Sequence, residues 1–498
     1  MEYDRIDYLL HIRAVTNPNA VFLIEGEQST TYAEVDRAAD RVASWLARIG
    51  ITTGDRVLLH GENSTQFLLA VFGILRAGAI VVPIHVKTES AILTEILQNA
   101  EPSLLLVDRQ LLRGYRSLTS SVTIALDIIA SLPAEYKPPL TPARSACIIY
   151  TSGSTGKAHG VVCGHRQILF AVQAISKMLH HTQEDRVLCC LPFSFDYGLY
   201  QAFIVLEAGA SLIIVSTQLN LLTIPGLLHK HHITGFPLVP ALAVGLLRSR
   251  LLERITHCSV RYVTNTGDML PLAHIDRLME QMHNAAVLPM YGLTECKRVS
   301  MMPFHALATK RGSVGLPLPG TTVELIEDSV LPMSGSNCGQ LLVCGPHIMD
   351  GYWRDPEATA HRFHWEQSIN KCTLYTGDLF RHDTDGYLYF LGRCETLIHV
   401  GNAVFSAAEF EQNLAALNTV AEAAVISYSD HSQQCCIHAF LVTDMPDSQV
   451  LQLAKTVLSP IQDAGVDSVT VHLIPKLPRT LNGKVNRQAL GHLVKSSS

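Results

Sequence analysis

Residues Ile149–Val162 read IYTSGSTGKAHGVV. The run is rich in Gly, Ser and Thr, whose small side chains leave backbone N–H groups and hydroxyls free to converge on an anion. Such a loop suits a triphosphate. It is not the P-loop of nucleoside triphosphatases, which needs a longer spacing between its glycines and then Lys-Ser/Thr; here two residues separate Gly153 from Gly156, and Ala158 follows Lys157. A Ser/Gly-rich surface turn has the same composition. The loop alone leaves phosphate binding and an ordinary turn both open, and the rest of the chain decides between them.

A chain of 498 residues exceeds what one hydrophobic core supports, so two or more domains are expected. The 48% hydrophobic and 16% charged residues give a globular composition, with only the terminal SSS reading as loose. A net charge of −6 without long single-sign blocks argues against a nucleic-acid partner or an anionic-membrane patch. The twelve cysteines include the neighbours Cys189–Cys190 and Cys435–Cys436 but no C-x-x-C, so neither a zinc knuckle nor a dithiol motif is written, and mostly buried, reduced thiols are expected. The N-terminal MEYDRIDYLL carries acids where a secretory signal carries basic residues. The longest apolar run, from Phe67, is broken by Arg76, Gly and Pro, and reads as helix, turn and strand rather than a membrane span. A soluble cytoplasmic protein is expected.

Helical stretches alternate with β-branched strands along most of the chain. TTYAEVDRAADRVASWLARIG has apolar residues at helical spacing behind an opening Thr pair, followed by the strand-like DRVLLHG and AIVVPI. SLLLVD, SACIIYT, SLIIVST and VRYVTNTG repeat the pattern of buried strands beside helices, an α/β rhythm. Beyond about Gly320 the texture turns to strands and turns (TTVELIED, GQLLVCG, GYLYFLG), a β-rich subdomain. The final stretch, with the helix SAAEFEQNLAAL and the strands EAAVISY, IHAFLVT and SVTVHLI, reads as a small α+β unit.

Four further segments bear on the loop. MYGLTEC sets Tyr291, Thr294 and Glu295 in a turn after a strand; YTGDLFRHDTDGYLYFLGR sets Asp378 just after a turn and Arg393 at the start of the last unit; GQLLVCGPHIMDGYWRDPEAT follows the same style; LPRTLNGKVNR presents Lys484 on a Gly-containing loop. Each suits ATP: Asp378 can accept both ribose hydroxyls, Glu295 can hold Mg²⁺, and Tyr291 can stack on adenine. TGD and NGK are also ordinary turn sequences. Together and in this order the segments resemble the adenylate-forming superfamily: acyl-CoA synthetases, luciferase-like enzymes and the adenylation domains of nonribosomal peptide synthesis. The resemblance covers nearly the whole chain.

That resemblance implies a large multi-subdomain α/β domain over residues 1–392, with the β-rich subdomain inside it, a hinge near GRCET, and a small mobile α+β domain over residues 393–498. It implies ATP and Mg²⁺ as cofactors, and a phosphate loop made of Thr151, Ser152, Gly153, Ser154, Thr155, Gly156 and Lys157, with Tyr291, Asp378 and Arg393 completing the nucleotide site. A carboxylate attacks the α-phosphorus of ATP, so repulsion between two anions must be met by positioned cations. Lys484 is the cation that the resemblance brings to both, with Thr294 nearby and Glu295 as catalytic residue and metal ligand.

Three departures from the family pattern stand out. The phosphate loop ends Ala158-His159-Gly160 where Pro-Lys-Gly is usual, so Lys157 or a protonated His159 is the candidate substitute. Glu395 takes the hinge acid position. His399 stands where relatives have lysine, and Asn402 where a glycine often lies, in the loop that lines the thiol tunnel of relatives.

Asp196, in LPFSFDYGLYQ, falls where amino-acid-activating relatives pair an aspartate with the substrate ammonium, and an ordinary role for it is to cap the following helix or to bind a neighbouring backbone amide. Pro237, Thr264, Thr266, Gly267, Met290, Arg298 and Val299 fall where relatives line the acid pocket, though most are core residues by default. Arg298 and Lys297 leave an acidic or hydroxylated acid open. No carrier domain is expected after Lys484, so the acyl group should leave on a separate phosphopantetheinylated carrier protein, with CoA as the alternative acceptor. A nucleotide-binding partner protein that has lost turnover is the alternative of a different class.

Overall fold

The computed structural model describes residues 3–115, 118–119, 121–133, 144–152, 158–216, 218, 220–255, 259–283, 285–326, 337–366, 371–401, 403–417, 419–429, 435–443 and 447–497. Two sheets with parallel cores form the bulk of the molecule. One has nine strands in the spatial order Leu316–Pro317, Ser300–Met301, Ala286–Tyr291, Tyr262–Asn265, Gly235–Leu238, Arg186–Cys189, Ser211–Ile214, Val21–Glu25 and Gln28–Thr31. Its interior strands run parallel, and antiparallel strands close both edges. The other has six strands in the order Val122–Ala125, Leu104–Val107, Arg56–His60, Ile80–Ile84, Ser145–Ser152 and Ala158–Gly164.

The connecting helices follow local sequence rules. Helix Tyr32–Arg48 starts at a capping box in which the Thr31 side chain accepts from the Glu34 amide and Glu34 reaches back to Thr31. Its apolar face, with Val35, Ala39, Val42 and Leu46, is fully buried in the main core. Helix Thr65–Arg76 carries Phe67, Phe72 and Leu75 into the same core, while its Arg76 is buried and paired with Asp36 and Asp40. The interior strands are apolar on both faces, as expected of strands covered by helices on each side.

The β-rich part is an antiparallel sheet of Thr322–Ile326, Cys338–Cys344, Lys371–His382, Phe363–Glu366 and Leu388–Arg393. After it, strands Val420–Ser429, Cys435–Thr443 and Ser468–Leu473 pack with helices Ala407–Ala415 and Asp447–Asp463 around their own cores, whose buried residues run from Ile398 to Val494. The α/β class and the strand-rich texture after Gly320 are as read from the sequence. Two local readings differ. Asp378 lies inside the long strand Lys371–His382, not after a turn: Gly377 takes φ +72° and the ladder shifts register at Leu379/Phe380, so the TGD triplet marks a kink within a strand. The described cysteines are all free thiols; Cys147, Cys163, Cys189, Cys296 and Cys372 are buried and the other six are half-buried.

Candidate functional site

Strand Ala286–Tyr291 ends at the carboxyl edge of the nine-stranded sheet, the edge at which open α/β sheets bind ligands. The chain then folds tightly back. The amide of Cys296 donates to the Leu293 carbonyl (3.1 Å) and that of Val299 to the Tyr291 carbonyl (2.9 Å). Gly292 is required by this return: a Cβ there would sit 2.1 Å from the Lys297 carbonyl oxygen and 2.9 Å from the Arg298 Cα. The turn places half-buried Thr294 beside buried Glu295, Lys297 and Arg298.

Glu295 accepts the Tyr352 hydroxyl at 2.6 Å and faces Arg362 Nη1 at 3.4 Å. Both contacts fall on Oε1, which leaves Oε2 as the oxygen for a cation. Among the described residues no cluster of three or more His, Cys, Asp or Glu gathers as a metal site. One carboxylate oxygen fits an ion that takes most of its ligands from phosphate and water, as Mg²⁺ does.

Asp378 and Arg393 face each other across adjacent strands, with Arg393 Nε 3.3 Å from Asp378 Oδ1. The Tyr291 hydroxyl donates to Asp378 Oδ2 at 2.6 Å, and the Thr376 hydroxyl accepts the Asp378 amide at 3.1 Å. Burial pushes the Asp378 carboxyl above its ordinary value, against the opposing pull of Arg393, Tyr291, Arg362 and Lys484. Burial and the adjacent Asp378 push the Tyr291 phenol well up, so it stays a donor. Its ring meets Phe380 at 65° with centroids 4.6 Å apart, so it is fixed by packing as well as by this bond.

Lys484 sits on a hairpin in which the Thr480 amide donates to the Lys484 carbonyl (2.9 Å) and the Gly483 amide to the Thr480 carbonyl (3.0 Å). The hairpin lies against Val239 and Ala241, at the start of helix Pro240–Arg248. From there the Lys484 charge makes a minor favourable contribution to the ionised forms of Asp196 and Asp378. The hairpin thus packs against strand-end residues more than two hundred positions earlier in the chain.

Asp196 opens helix Asp196–Ala208 without capping it: Phe195 is the cap residue, and the Asp196 carboxylate accepts the adjacent Tyr197 amide at 2.8 Å. Its Oδ2 lies 3.5 Å from Lys297 Nζ. Burial would raise this carboxyl, but Lys297 and Arg298, then the Tyr197 amide and Lys484, more than offset it and hold the group below its ordinary value. Lys297, at φ +59°, is a non-glycine residue in the left-handed region, and that strained backbone turns its side chain inward, its Nζ 4.2 Å from the Tyr200 ring centroid. Gly198 lets the helix begin where it does, since a Cβ there would lie 2.1 Å from the Pro192 carbonyl oxygen.

The other pocket residues come from neighbouring strand ends. Pro237 and Thr264 pair across parallel strands, and Thr264 bonds the Tyr197 hydroxyl through its own hydroxyl (2.8 Å) and carbonyl (2.9 Å). Thr266 and Met290 are buried, Val299 is fully buried, and Gly267 follows Thr266 at φ +93°. Thr151 is half-buried at the end of its strand; Gly153, Ser154, Thr155, Gly156, Lys157 and the side chain of Ser152 lie outside the described residues, as does Asn402. His159 places Nδ1 3.3 Å from Asp355 Oδ2 and its ring against Tyr352, so it joins the surroundings of Glu295 through that tyrosine. Tyr352, Tyr197 and Thr376 are site neighbours that lie within the quoted segments without being given a role there, and Arg362 lies outside them. Two open surface hollows of about 640 and 560 Å³ contain none of Lys484, Asp196 or Asp378.

The profile of the AMP-binding enzyme family matches residues 10–353. The chain belongs to the AMP-binding enzyme family. Its members are AMP-forming ligases, and this chain is an ATP-binding, adenylate-forming enzyme. It is 29% identical over 502 residues to a component of linear gramicidin synthase from Brevibacillus parabrevis, covering 98% of this chain but only 10% of that much longer protein. It is 27% identical to a methyl-dioxo-octahydroindenyl-propanoyl:CoA ligase of Mycobacterium tuberculosis, with 96% of each chain covered. The solved structure of VinN with L-aspartate is 32% identical with a TM-score of 0.69, covering 78% of this chain and 100% of that one. Among the described residues no helix of this AMP-binding enzyme is long and apolar enough to cross a membrane.

Proposed function

We propose that this enzyme activates an amino acid as its adenylate, with release of pyrophosphate, and passes the acyl group to the phosphopantetheine thiol of a separate carrier protein. The observation that carries the reading is Asp196: a half-buried carboxylate that opens its helix without capping it, held below its ordinary value by Lys297 and Arg298, with the adjacent Tyr197 bonded to the strand-end residue Thr264. Its contact with Lys297, at 3.5 Å, is long, so a substrate ammonium can take a closer place on the same carboxylate. The peptide synthase relative and the L-aspartate complex of VinN support an amino acid as that ligand.

In this reading Asp378, with Arg393, accepts the ribose hydroxyls, Tyr291 borders adenine, and the Thr151–Lys157 loop wraps the phosphates. Mg²⁺ at Glu295 supplies positive charge against the phosphates when bound. Lys484 holds the substrate carboxylate and the α-phosphate together, with Thr294 donating nearby, so that two anions meet inside a positively charged frame. Pro237, Thr264, Thr266, Gly267, Met290, Arg298 and Val299 line the acid pocket, and residues 393–498 move as the mobile unit.

Asp196→Asn tests the reading: ATP–pyrophosphate exchange with the preferred amino acid is expected to fall about a hundredfold while ATP binding is kept. Unchanged exchange overturns the Asp196 role. A CoA thioester is the second reading, favoured by the Mycobacterium tuberculosis ligase that matches end to end. A labelled acid that moves to a phosphopantetheinylated carrier and not to CoA decides for the carrier; the reverse decides for CoA.

A further inference from the structure

Lys297 and Arg298 are 5% and 6% exposed. Among the described residues, Lys297 Nζ and Arg298 Nε have no hydrogen-bond partner. Lys297 has Asp196 at 3.5 Å, beyond a good hydrogen bond, and otherwise the Tyr200 ring; Arg298 stands 5.4 Å from the Tyr197 ring centroid. Lys297 is ion-paired with Asp196, and Arg298, next in the chain, faces the ring of the adjacent Tyr197, which places both cations at the start of helix Asp196–Ala208. Two buried cations therefore share a single fixed anion, and uncompensated buried charge is costly unless a ligand supplies the partner.

The proposed function sharpens this imbalance. Once a substrate ammonium takes Asp196, Lys297 and Arg298 lose most of their share of it. The reacting carboxylate does not repay them, because Lys484 is its partner. A neutral substrate side chain would leave both cations unpaired and add a third positive charge to the space. A second carboxylate supplies the missing anion, and the planar guanidinium with an unengaged Nε suits two-point contact with it. Since Lys297 contacts Asp196 and Arg298 faces the adjacent Tyr197, the second carboxylate lies close to the ammonium, which calls for a short side chain.

We infer that the substrate is a short dicarboxylic amino acid, aspartate or a close derivative, whose second carboxylate is held by Arg298 and Lys297. This rests on the amino-acid reading above and adds an anion subsite to it.

The test compares ATP–pyrophosphate exchange with L-aspartate, L-asparagine and L-leucine. Asparagine keeps the shape of aspartate and removes only the charge. The full chain is expected to use aspartate at least about a hundredfold better than asparagine in kcat/KM. Arg298→Gln is expected to cut that ratio about a hundredfold, and Arg298→Lys to keep most of it; circular dichroism and ATP binding check that each variant is folded. If Arg298→Gln does not fold, the wild-type ratio and Arg298→Lys decide. Exchange with asparagine or leucine equal to or above that with aspartate overturns the subsite and leaves amino-acid adenylation standing. An unchanged ratio in folded Arg298→Gln also overturns it. Silence with every amino acid, with ATP still bound, brings down the amino-acid reading and this inference with it.

Discussion

Lys484→Ala removes one positive charge from the point where two anions must meet. The hairpin that carries it is held by main-chain bonds from Thr480 and Gly483, so alanine leaves the loop's shape in place. What is lost is a positive charge on a hairpin that packs against Val239 and Ala241, at the start of helix Pro240–Arg248. Two unit charges about 4 Å apart at an effective dielectric constant near 20 interact by about 4 kcal/mol, which corresponds to about a thousandfold in rate. Lys484 is half-buried, so partial screening by water brings the expected loss to between about a hundredfold and a thousandfold. ATP–pyrophosphate exchange reads this directly. Equilibrium binding of ATP is expected to change by less than about tenfold, because Asp378, Arg393 and Tyr291 remain, and thermal stability is expected to stay within a few degrees. Exchange at the wild-type rate in a folded Lys484→Ala protein would refute the placement of this lysine at the reacting atoms.

Three other substitutions probe separate parts of the site. Burial raises the Asp378 carboxyl, so its ionisation costs folding stability: the cost is absent at low pH, grows as pH rises past the unfolded value, and is complete above the folded one. Asp378→Asn is thus expected to gain stability relative to wild type between pH 4 and pH 7 in urea melts while binding ATP about ten- to a hundredfold more weakly; a stability difference that does not vary with pH contradicts this. Tyr352→Phe deletes the 2.6 Å bond to buried Glu295 and is expected to cost about 1.5–3 kcal/mol in urea unfolding, with an unchanged midpoint counting against it. Gly198→Ala forces a Cβ to within 2.1 Å of the Pro192 carbonyl oxygen and should cost about 1–3 kcal/mol while raising KM for the acid more than KM for ATP, because Asp196 sits two residues away; equal effects on both would sink that account.

Helices with clear boundaries were legible in the sequence because their signals are local: Thr31 and Glu34 write a capping box, and apolar residues recur at helical spacing behind them. The site was legible where short motifs carry it, as in MYGLTEC and LPRTLNGKVNR. Asp378 was misplaced locally, because a glycine at positive φ within a strand and a glycine in a turn look alike in sequence. Tyr352 lies in the segment GQLLVCGPHIMDGYWRDPEAT but nothing there marks it as a partner of Glu295, and Arg362 lies beyond that segment; both meet Glu295 only through tertiary packing. The resemblance sets Arg298 at the acid pocket, but nothing in one dimension shows that it and Lys297 are buried. Only the return of the chain at Gly292 and the left-handed backbone at Lys297 turn them inward.

The central claim is that Asp196 receives a substrate ammonium, and exchange with L-aspartate against succinate tests it most directly. Succinate has the same carbon skeleton and both carboxylates but no ammonium, so every other contact is preserved. The account predicts that aspartate supports ATP–pyrophosphate exchange at least about a hundredfold better than succinate, and that Asp196→Asn removes most of that difference. Exchange with succinate equal to or above that with aspartate would contradict it.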